Sequence, residues 1–189
     1  LARPRGIAVF VDGAHAFAHF PFTRDDLGCD YYGTSLHKWL LATIGTGFLY
    51  VRRERIAAHW AFQPAPASLV NNIRKFEEVG TQPIGPKAAI NEAIAFQQAI
   101  GIERKAARLR YLTLRWANEL KKEPRVRLHS SLDEGQTWGL AVVSIDGIDT
   151  SKLVPYLWDR HRIVITAVGH ENEKEPALSY RGLRVTPNI

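Results

Sequence analysis

Hydrophobic and polar positions divide the chain into a first part with short apolar runs and a second part that begins with two helical patterns. The apolar run at residues 7–11 predicts a buried strand, with Asp12 at its carboxyl end. Residues 29–33 and 48–51 predict two further strands. Between the first two strands, residues 23–28 predict a short capped turn or helix.

Two helices are predicted in the middle of the chain. The first begins near Pro86, whose missing N–H is not needed in a first helical turn, and Gly101 interrupts or bends the pattern. The second ends before Pro124, and its basic residues lie largely off the apolar stripe. The stripes are Ile90, Ala93, Ile94, Gln97 and Ile100, then Ile102, Ala106, Leu109, Leu112, Trp116 and Leu120; the basic residues are Arg104, Lys105, Arg108, Arg115 and Lys122.

Short strands around one helix are predicted beyond Pro124, which indicates a small α+β unit. Asp149 or Thr150 can cap the helix. The strands are predicted at residues 125–130, 139–145 and 162–168, and the helix at residues 150–160 with Leu153, Tyr156 and Leu157 as its buried stripe. The charged residues 52–55, in the first part of the chain, are interpreted as the solvated end of a strand.

The composition is that of an ordinary globular protein, with 189 residues of which 46% are hydrophobic and 23% are charged. No apolar run approaches the roughly 18 residues of a membrane span. The single cysteine, Cys29, is interpreted as a small buried residue and allows neither an internal disulfide nor a thiolate metal cluster. We expect no membrane, no metal and a cytoplasmic location. The chain has no methionine, even at position 1, and is interpreted as a segment of a longer polypeptide.

The net charge of +6 arises in one segment. Residues 103–127 contain nine Lys or Arg and three Glu, which gives +6 by itself. A basic helix can bind nucleic acid or an acidic membrane surface. Because no aromatic residues are interleaved on the basic side, the favoured interpretation is the solvated face of a packed helix, without a nucleic-acid partner.

The candidate chemistry lies in two motifs, DGAH, which begins at Asp12, and GTSLHKW, which contains Ser35, His37 and Lys38. A Schiff base needs a lysine that is held close to a binding site for a carbonyl compound, and Lys38 is the candidate. Ser35 and His37 could bind an anion beside it. Asp12 lies at the carboxyl end of a strand, where open α/β sheets bind ligands.

With the GTGFLYV strand that follows, these motifs resemble the class V aminotransferase family of pyridoxal-phosphate enzymes. The resemblance implies that Lys38 forms a Schiff base with pyridoxal 5'-phosphate and that Asp12 pairs with the pyridinium nitrogen of this cofactor. It also implies that His15 lies beside the 3-hydroxyl of the ring, and Ser35 and His37 beside the phosphate. Within the family, the motifs look most like those of the isopenicillin-N epimerase-like branch.

Two later residues match the pattern of the family. Thr81 lies in EEVGTQP, which resembles a segment whose threonine reaches the phosphate of the neighbouring subunit. Arg184 matches the arginine of the final strand that binds the carboxylate of the substrate, with Arg181 as a competing assignment. The resemblance therefore implies a homodimer with a shared site.

The resemblance implies an α/β fold. Residues 1–100 would form the C-terminal part of a large cofactor-binding domain with a mostly parallel sheet, and residues 101–189 a truncated small α+β domain led by a long helix. The implied function is that of an enzyme that transaminates or epimerises an amino acid; a lyase of the same family and a non-enzymatic binding protein, either a degenerate relative or a nucleic-acid binder, are the alternatives. The family's desulfurases use a late cysteine, and none follows Cys29, so that route is not expected. Without the family's N-terminal half, we expect the segment alone to be inactive.

Overall fold

The computed structural model describes residues 1–175 and 179–187. It contains two compact units, Leu1–Ile102 and Glu103–Ile189. The first unit combines a small sheet with helices. Its elements are β1 (Phe10–Asp12), α1 (Arg24–Leu27), β2 (Tyr31–Ser35), β3 (Gly47–Val51), α2 (Arg53–Ile56) and α3 (Gly85–Ile100), with short 3₁₀ helices at Arg3–Arg5, Ala67–Leu69 and Ile73–Phe76.

The sheet of the first unit is mixed, with the strand order β1-β2-β3. β1 runs parallel to β2, and Asp12 lies opposite Gly33. β3 returns antiparallel to β2 and pairs Gly47 with Ser35. Because the parallel strands β1 and β2 end at the same edge, the DGAH and GTSLHKW motifs both leave the sheet there.

α1 is a short capped helix, as residues 23–28 predict. The carboxylate of Asp26 accepts a hydrogen bond from the backbone N–H of Thr23 at 2.7 Å, and the Thr23 side chain caps the N–H of Asp26 in return. The bonds from Thr23 hold the pKa of Asp26 below its ordinary value. Gly28, at φ 54°, ends the helix in the left-handed conformation.

The prediction that residues 52–55 form the solvated end of β3 is wrong. Residues 53–55 lie in α2, and Nε of Arg55 and of Arg52 lie 3.3 and 3.5 Å from the buried carboxylate of Asp30. Asp30 also accepts a hydrogen bond from the N–H of Val9 at 2.9 Å. This backbone bond, followed by the two guanidinium groups, lowers the pKa of Asp30 in spite of its burial. This charged segment is therefore held by the carboxylate of Asp30, which is distant in sequence but close in space.

The apolar run at residues 7–11 is more exposed than a buried strand would be. Ile7 and Phe10 are 55% and 60% exposed. β1 is an edge strand of the described sheet, so only β2 flanks it. Leu49 of β3 lies on the same face as Phe10 and is also exposed. One apolar face of this sheet is therefore open in the described part of the chain.

α3 packs on the turn that carries Lys38. Pro86 lies in its first turn, as predicted, and Gly101, which was predicted to interrupt or bend the helical pattern, caps its C-terminal end. The side-chain amide of Gln97 donates a hydrogen bond to the carbonyl of Leu40 at 3.3 Å. Ile94 was predicted on the buried stripe but is exposed, because the stripe that meets the turn is narrower than the sequence pattern. The core cluster consists of Leu36, Leu40 and Ala93, with Phe17, Ala18, Ala42 and Ile90 packed against it.

The second unit has the α+β arrangement that the pattern predicts. Its described sheet has the order β4-β5-β7-β6, and each pairing is antiparallel. α5 packs against β6 and β7. The elements are α4 (Ile102–Leu120), β4 (Val126–Leu128), β5 (Ala141–Ile145), α5 (Thr150–His161), β6 (Thr166–His170) and β7 (Tyr180–Val185).

α4 buries one charged residue that the sequence pattern directed outward. Lys105 is 1% exposed, because it lies one turn before Leu109 and shares its face of the helix. Burial lowers the pKa of Lys105 to about 8. Two predictions of burial are also wrong. Leu120, at the end of α4, and Tyr156, in α5, are exposed.

α5 is capped by Asp149, one of the two predicted candidates. Its carboxylate accepts a hydrogen bond from the N–H of Ser151 at 2.9 Å. The bonds from Ser151 hold the pKa of Asp149 below its ordinary value. β6 begins later than the predicted residues 162–168, because Arg162, at φ 56°, returns its N–H to the last carbonyls of the helix.

Burial of Lys105 makes stability depend on alkaline pH. The unfolded state, in which Lys105 keeps its ordinary pKa, binds more protons above pH 8 than the folded state, so stability rises with pH up to about 10.5. Between pH 7.5 and 9.5 this should add about 1–2 kcal/mol to the free energy of unfolding. Urea unfolding of Lys105→Met should lack this increase, whereas the exposed control Lys121→Met should retain it. An equal pH dependence in the two variants would contradict the prediction.

Candidate active site

The turn after β1 begins the site. The N–H of Gly13 donates to the carbonyl of Gly33 at 2.8 Å, which continues the pairing of β1 with β2. Oδ1 of Asp12 accepts a hydrogen bond from the N–H of Ala14 at 3.0 Å, as in an Asx turn. The carboxylate therefore holds the reversal of the chain with one oxygen. Its other oxygen accepts no hydrogen bond in the described residues.

Gly13 is required by the close approach of Tyr32. An ideal Cβ at position 13 would lie 2.0 Å from Cζ of the Tyr32 ring. The hydroxyl groups of Tyr32 and Thr34 both donate to the carbonyl of Gly13, at 3.3 and 3.1 Å. Burial raises the pKa of Tyr32, which keeps the phenol protonated as a donor. β2 thereby fixes the turn at both its N–H and its carbonyl.

Lys38 lies in a tight turn after β2. The N–H of Leu36 donates to the carbonyl of Thr46 at 3.0 Å, and the N–H of Ala42 returns to the carbonyl of Leu36 at 3.1 Å. Leu41, at φ 65°, has a left-handed conformation that costs a residue with a side chain about 1–2 kcal/mol. Strain of this kind is typical of functional sites, where surrounding packing holds it.

The two motifs meet at His15 and Lys38. Nζ of Lys38 lies 3.1 Å from Nε2 of His15. On the other side of the imidazole, the indole N–H of Trp39 lies 3.3 Å from Nδ1. The Trp39 ring stacks on the imidazole of His19, with centroids 3.7 Å apart and planes inclined by 5°. Trp39 and His19 are buried, and Lys38 is partly exposed.

The other predicted cofactor residues of this unit make fewer contacts. Ser35 ends β2, and His37 is exposed next to Lys38. Thr81 is exposed in the loop before α3. In the described part of the chain, the side chains of Ser35, His37 and Thr81 make no hydrogen bond. Their roles stay predictions.

The two arginines that are candidates for binding the substrate carboxylate both lie in β7 of the second unit, and they differ in their contacts. Arg181 forms an exposed ion pair with Glu171, which lowers the pKa of Glu171. Arg184 is partly buried, and its Nε is enclosed without a hydrogen-bond partner among the described residues. Arg184 thus has an enclosed donor that the described residues leave unpaired, whereas Arg181 is already engaged in an ion pair.

Sequence reasoning assigned no role to Trp39 or His19. Trp39 is the last residue of the GTSLHKW motif, and His19 follows His15 by one helical-type turn, with its Nδ1 at 2.8 Å from the His15 carbonyl. A tryptophan beside the candidate lysine and a second histidine four positions after the first were the available signals. Neither identifies the contact, because that depends on two segments meeting in space.

The described residues contain neither a membrane-spanning helix nor a cluster of metal-binding side chains. No helix there has the length and apolar character needed to cross a membrane. No group of three or more His, Cys, Asp or Glu side chains is arranged to hold a metal ion in that same part of the chain.

The sequence profile of the family described as Aminotransferase class-V matches residues 1–186. The chain belongs to the class V aminotransferase family. Isopenicillin N epimerase of Streptomyces clavuligerus is 33% identical over 179 residues, which cover 86% of this chain and 45% of the epimerase. The chain thus spans about half the length of the curated relatives that it matches.

Solved structures of lower identity share the fold. The cysteine desulfurase of Thermococcus onnurineus NA1 has a TM-score of 0.75 and 21% identity, and the match covers 100% of this chain and 49% of the desulfurase. A C-DES mutant with glycine covalently linked to its PLP cofactor has a TM-score of 0.73 and 19% identity, with 96% and 47% covered. The family and the α/β fold predicted from the motifs are confirmed, and pyridoxal phosphate is the cofactor that this family indicates.

Substitution of Gly13 tests the packing of the turn. Gly13→Ala should lower the free energy of unfolding by about 1–3 kcal/mol, because the added Cβ overlaps the Tyr32 ring. Gly85→Ala is the matched control, since nothing lies within 4 Å of the corresponding Cβ and its φ is ordinary. Urea unfolding measures both. Equal stability of Gly13→Ala and wild type would contradict the packing described.

Proposed function

We propose that the protein is a pyridoxal-phosphate-dependent enzyme that acts on an amino acid or amino-acid derivative, with Lys38 as the amine that binds the cofactor. The observation that carries the proposal is the 3.1 Å contact between Nζ of Lys38 and Nε2 of His15, beside the strand end at Asp12. An amine, an imidazole and a carboxylate thus share the sheet edge where α/β enzymes bind ligands. Membership of the class V family supports the same conclusion.

The groups at this edge fit the chemistry of the cofactor. An amine suits its aldehyde, a carboxylate suits its protonated ring nitrogen, and hydroxyl and imidazole groups suit its phosphate. Their availability supports the fit, because one oxygen of Asp12 and the side chains of Ser35 and His37 have no hydrogen-bond partner in the described residues. When bound, pyridoxal phosphate supplies an electron sink for the α-carbon of the substrate.

Each residue has a distinct proposed role. Nζ of Lys38 would hold the cofactor and would move a proton at the α-carbon of the substrate. The carboxylate of Asp12 keeps the ring nitrogen protonated, since a nearby negative charge favours the charged pyridinium. His15 lies by the ring hydroxyl, and Ser35 and His37 bind the phosphate.

We assign the carboxylate of the substrate to Arg184. Its unpaired, enclosed Nε supports this choice, whereas Arg181 is already paired with Glu171. A guanidinium offers two parallel N–H donors to a carboxylate. A guanidinium that lacks a partner costs free energy, and a bound anion would remove that cost.

The proposed active enzyme is a homodimer in which Thr81 binds the phosphate of the cofactor in the neighbouring subunit. The exposure of Thr81, and its lack of a hydrogen bond in the described part of its own chain, support a role outside that chain. In the same proposal, residues 1–100 belong to the cofactor-binding domain and residues 101–189 to the smaller domain.

Proton transfer at the α-carbon, in epimerisation or transamination, is the proposed reaction class, and elimination by a lyase is the alternative. The 33% identity to isopenicillin N epimerase supports the first. A desulfurase of the type considered above needs a nucleophilic cysteine late in the chain. The one cysteine of this sequence, Cys29, lies early and is buried, so desulfuration by that route is not proposed.

Borohydride reduction tests the role of Lys38. The complete protein should retain reduced, covalently bound pyridoxal phosphate, and Lys38→Ala should retain none. The turnover of Lys38→Ala should fall by about 10²–10⁴-fold. Mass spectrometry of the reduced protein locates the modified lysine. Lys87→Ala, in α3, is the control and should behave as wild type. Reduced cofactor retained at its original level by Lys38→Ala would contradict the assignment, and a wild-type protein that traps none would favour a non-enzymatic function.

Paired arginine substitutions test the carboxylate site. Arg184→Lys should raise KM for an amino-acid substrate about 10–100-fold, because a point charge cannot reproduce two parallel donors. Cofactor binding should be unchanged. Arg181→Lys, at the exposed ion pair with Glu171, should leave KM within about twofold of wild type. The opposite order of the two KM effects would transfer the role to Arg181.

A further inference from the structure

The contacts of the His15 ring with its two neighbours, Lys38 and Trp39, indicate which ring nitrogen carries the hydrogen. The indole nitrogen of Trp39 can only donate a hydrogen bond. Since it lies 3.3 Å from Nδ1 of His15, Nδ1 must present a lone pair. A neutral imidazole with a lone pair on Nδ1 carries its hydrogen on Nε2. Trp39 therefore selects one of the two tautomers of His15.

The selected tautomer directs an N–H donor at Lys38. Nε2 of His15 lies 3.1 Å from Nζ of Lys38. The contact is complementary when Nζ presents a lone pair, and this is the form in which an amine is nucleophilic. The opposite tautomer would bring the N–H of Trp39 against an N–H on Nδ1. It would also remove the donor that faces Lys38.

Trp39 is itself held in position by His19. The two rings stack at 3.7 Å, and both side chains are about 95% buried. Nδ1 of His19 lies 2.8 Å from the carbonyl oxygen of His15. Because a carbonyl only accepts, this nitrogen is the donor. The three residues thus form a closed circuit: His19 is anchored to the backbone of His15, Trp39 stacks on His19, and Trp39 returns its N–H to the ring of His15.

We propose that Trp39 is a positioning residue that fixes His15 in the tautomer with hydrogen on Nε2. His15 then offers a constant N–H donor to Nζ of Lys38 when that amine is neutral and, when the cofactor is bound, to the oxygen on its ring. This second contact rests on the proposed function, whereas the tautomer does not. A positioned tautomer matters because an imidazole that alternates its hydrogen between two nitrogens offers the wrong group part of the time.

Nitrogen NMR of the complete protein, labelled with ¹⁵N-histidine and free of cofactor, measures the tautomer directly. His15→Gln identifies the signal of His15 by its loss. In wild type, His15 should carry its hydrogen on Nε2. Trp39→Phe keeps an aromatic ring against His19 but removes the N–H, and should change the tautomer ratio about three- to tenfold. Trp60→Phe, at a residue that is 92% exposed, is the matched control and should leave the ratio unchanged.

Two results would overturn the proposal: a wild-type His15 with its hydrogen on Nδ1, or an unchanged ratio in folded Trp39→Phe. Benzothienylalanine at position 39 removes the N–H while it retains the ring shape, and replaces Phe if that variant unfolds. With cofactor and substrate, Trp39→Phe should lower kcat about three- to tenfold without changing KM. A shifted tautomer with unchanged kcat would overturn the catalytic role. Failure of wild type to trap cofactor would instead overturn the proposed function and leave the tautomer result intact.

Discussion

The close approach of Gly13 to Tyr32 is the constraint on which the candidate site depends. A side chain at position 13 would overlap the Tyr32 ring. Because glycine has none, the backbone of the turn can lie directly against β2. There its N–H pairs with Gly33, and its carbonyl accepts two hydroxyl donors. These bonds determine where Asp12 ends its strand and where His15 begins the return. The imidazole can consequently reach Lys38, although the two residues are 23 positions apart.

Two buried charged side chains complete the first unit by binding backbone groups that lie outside its strands. The ammonium of Lys75 donates to the carbonyls of Ile56, His59 and Val70 at 2.5, 2.6 and 3.0 Å. Asp30 accepts from the backbone in the complementary manner. A buried charge without such partners costs several kcal/mol. Each charge therefore fixes segments that have little regular structure of their own, including the connection from β3 to α3.

Local pattern predicted the elements and the two motifs of this chain, and non-local contacts account for most of what it missed. The Thr23 cap and the ends of α3 depend on residues within one or two helical turns, so the sequence contains the necessary information. Arg55 was misread because its partner, Asp30, lies 25 positions away. Lys105 was wrongly predicted to be exposed, because the apolar pattern of α4 does not show which of the helical positions beside the apolar stripe are buried by packing. Likewise, the order of the motifs predicted that they approach each other, but not that Trp39 contacts His15.

The difference between the two arginines of β7 follows from the alternation of side chains along a strand. Residues three positions apart point to opposite faces, so Arg181 and Arg184 cannot share one environment. On its face, Arg181 reaches Glu171 and is neutralised at the surface. On the other face, Arg184 lies between its strand partners Val142 and Thr166, neither of which can neutralise a guanidinium. Backbone parity, rather than any property of arginine, thus separates a surface ion pair from a partly buried guanidinium that forms no ion pair within the described residues.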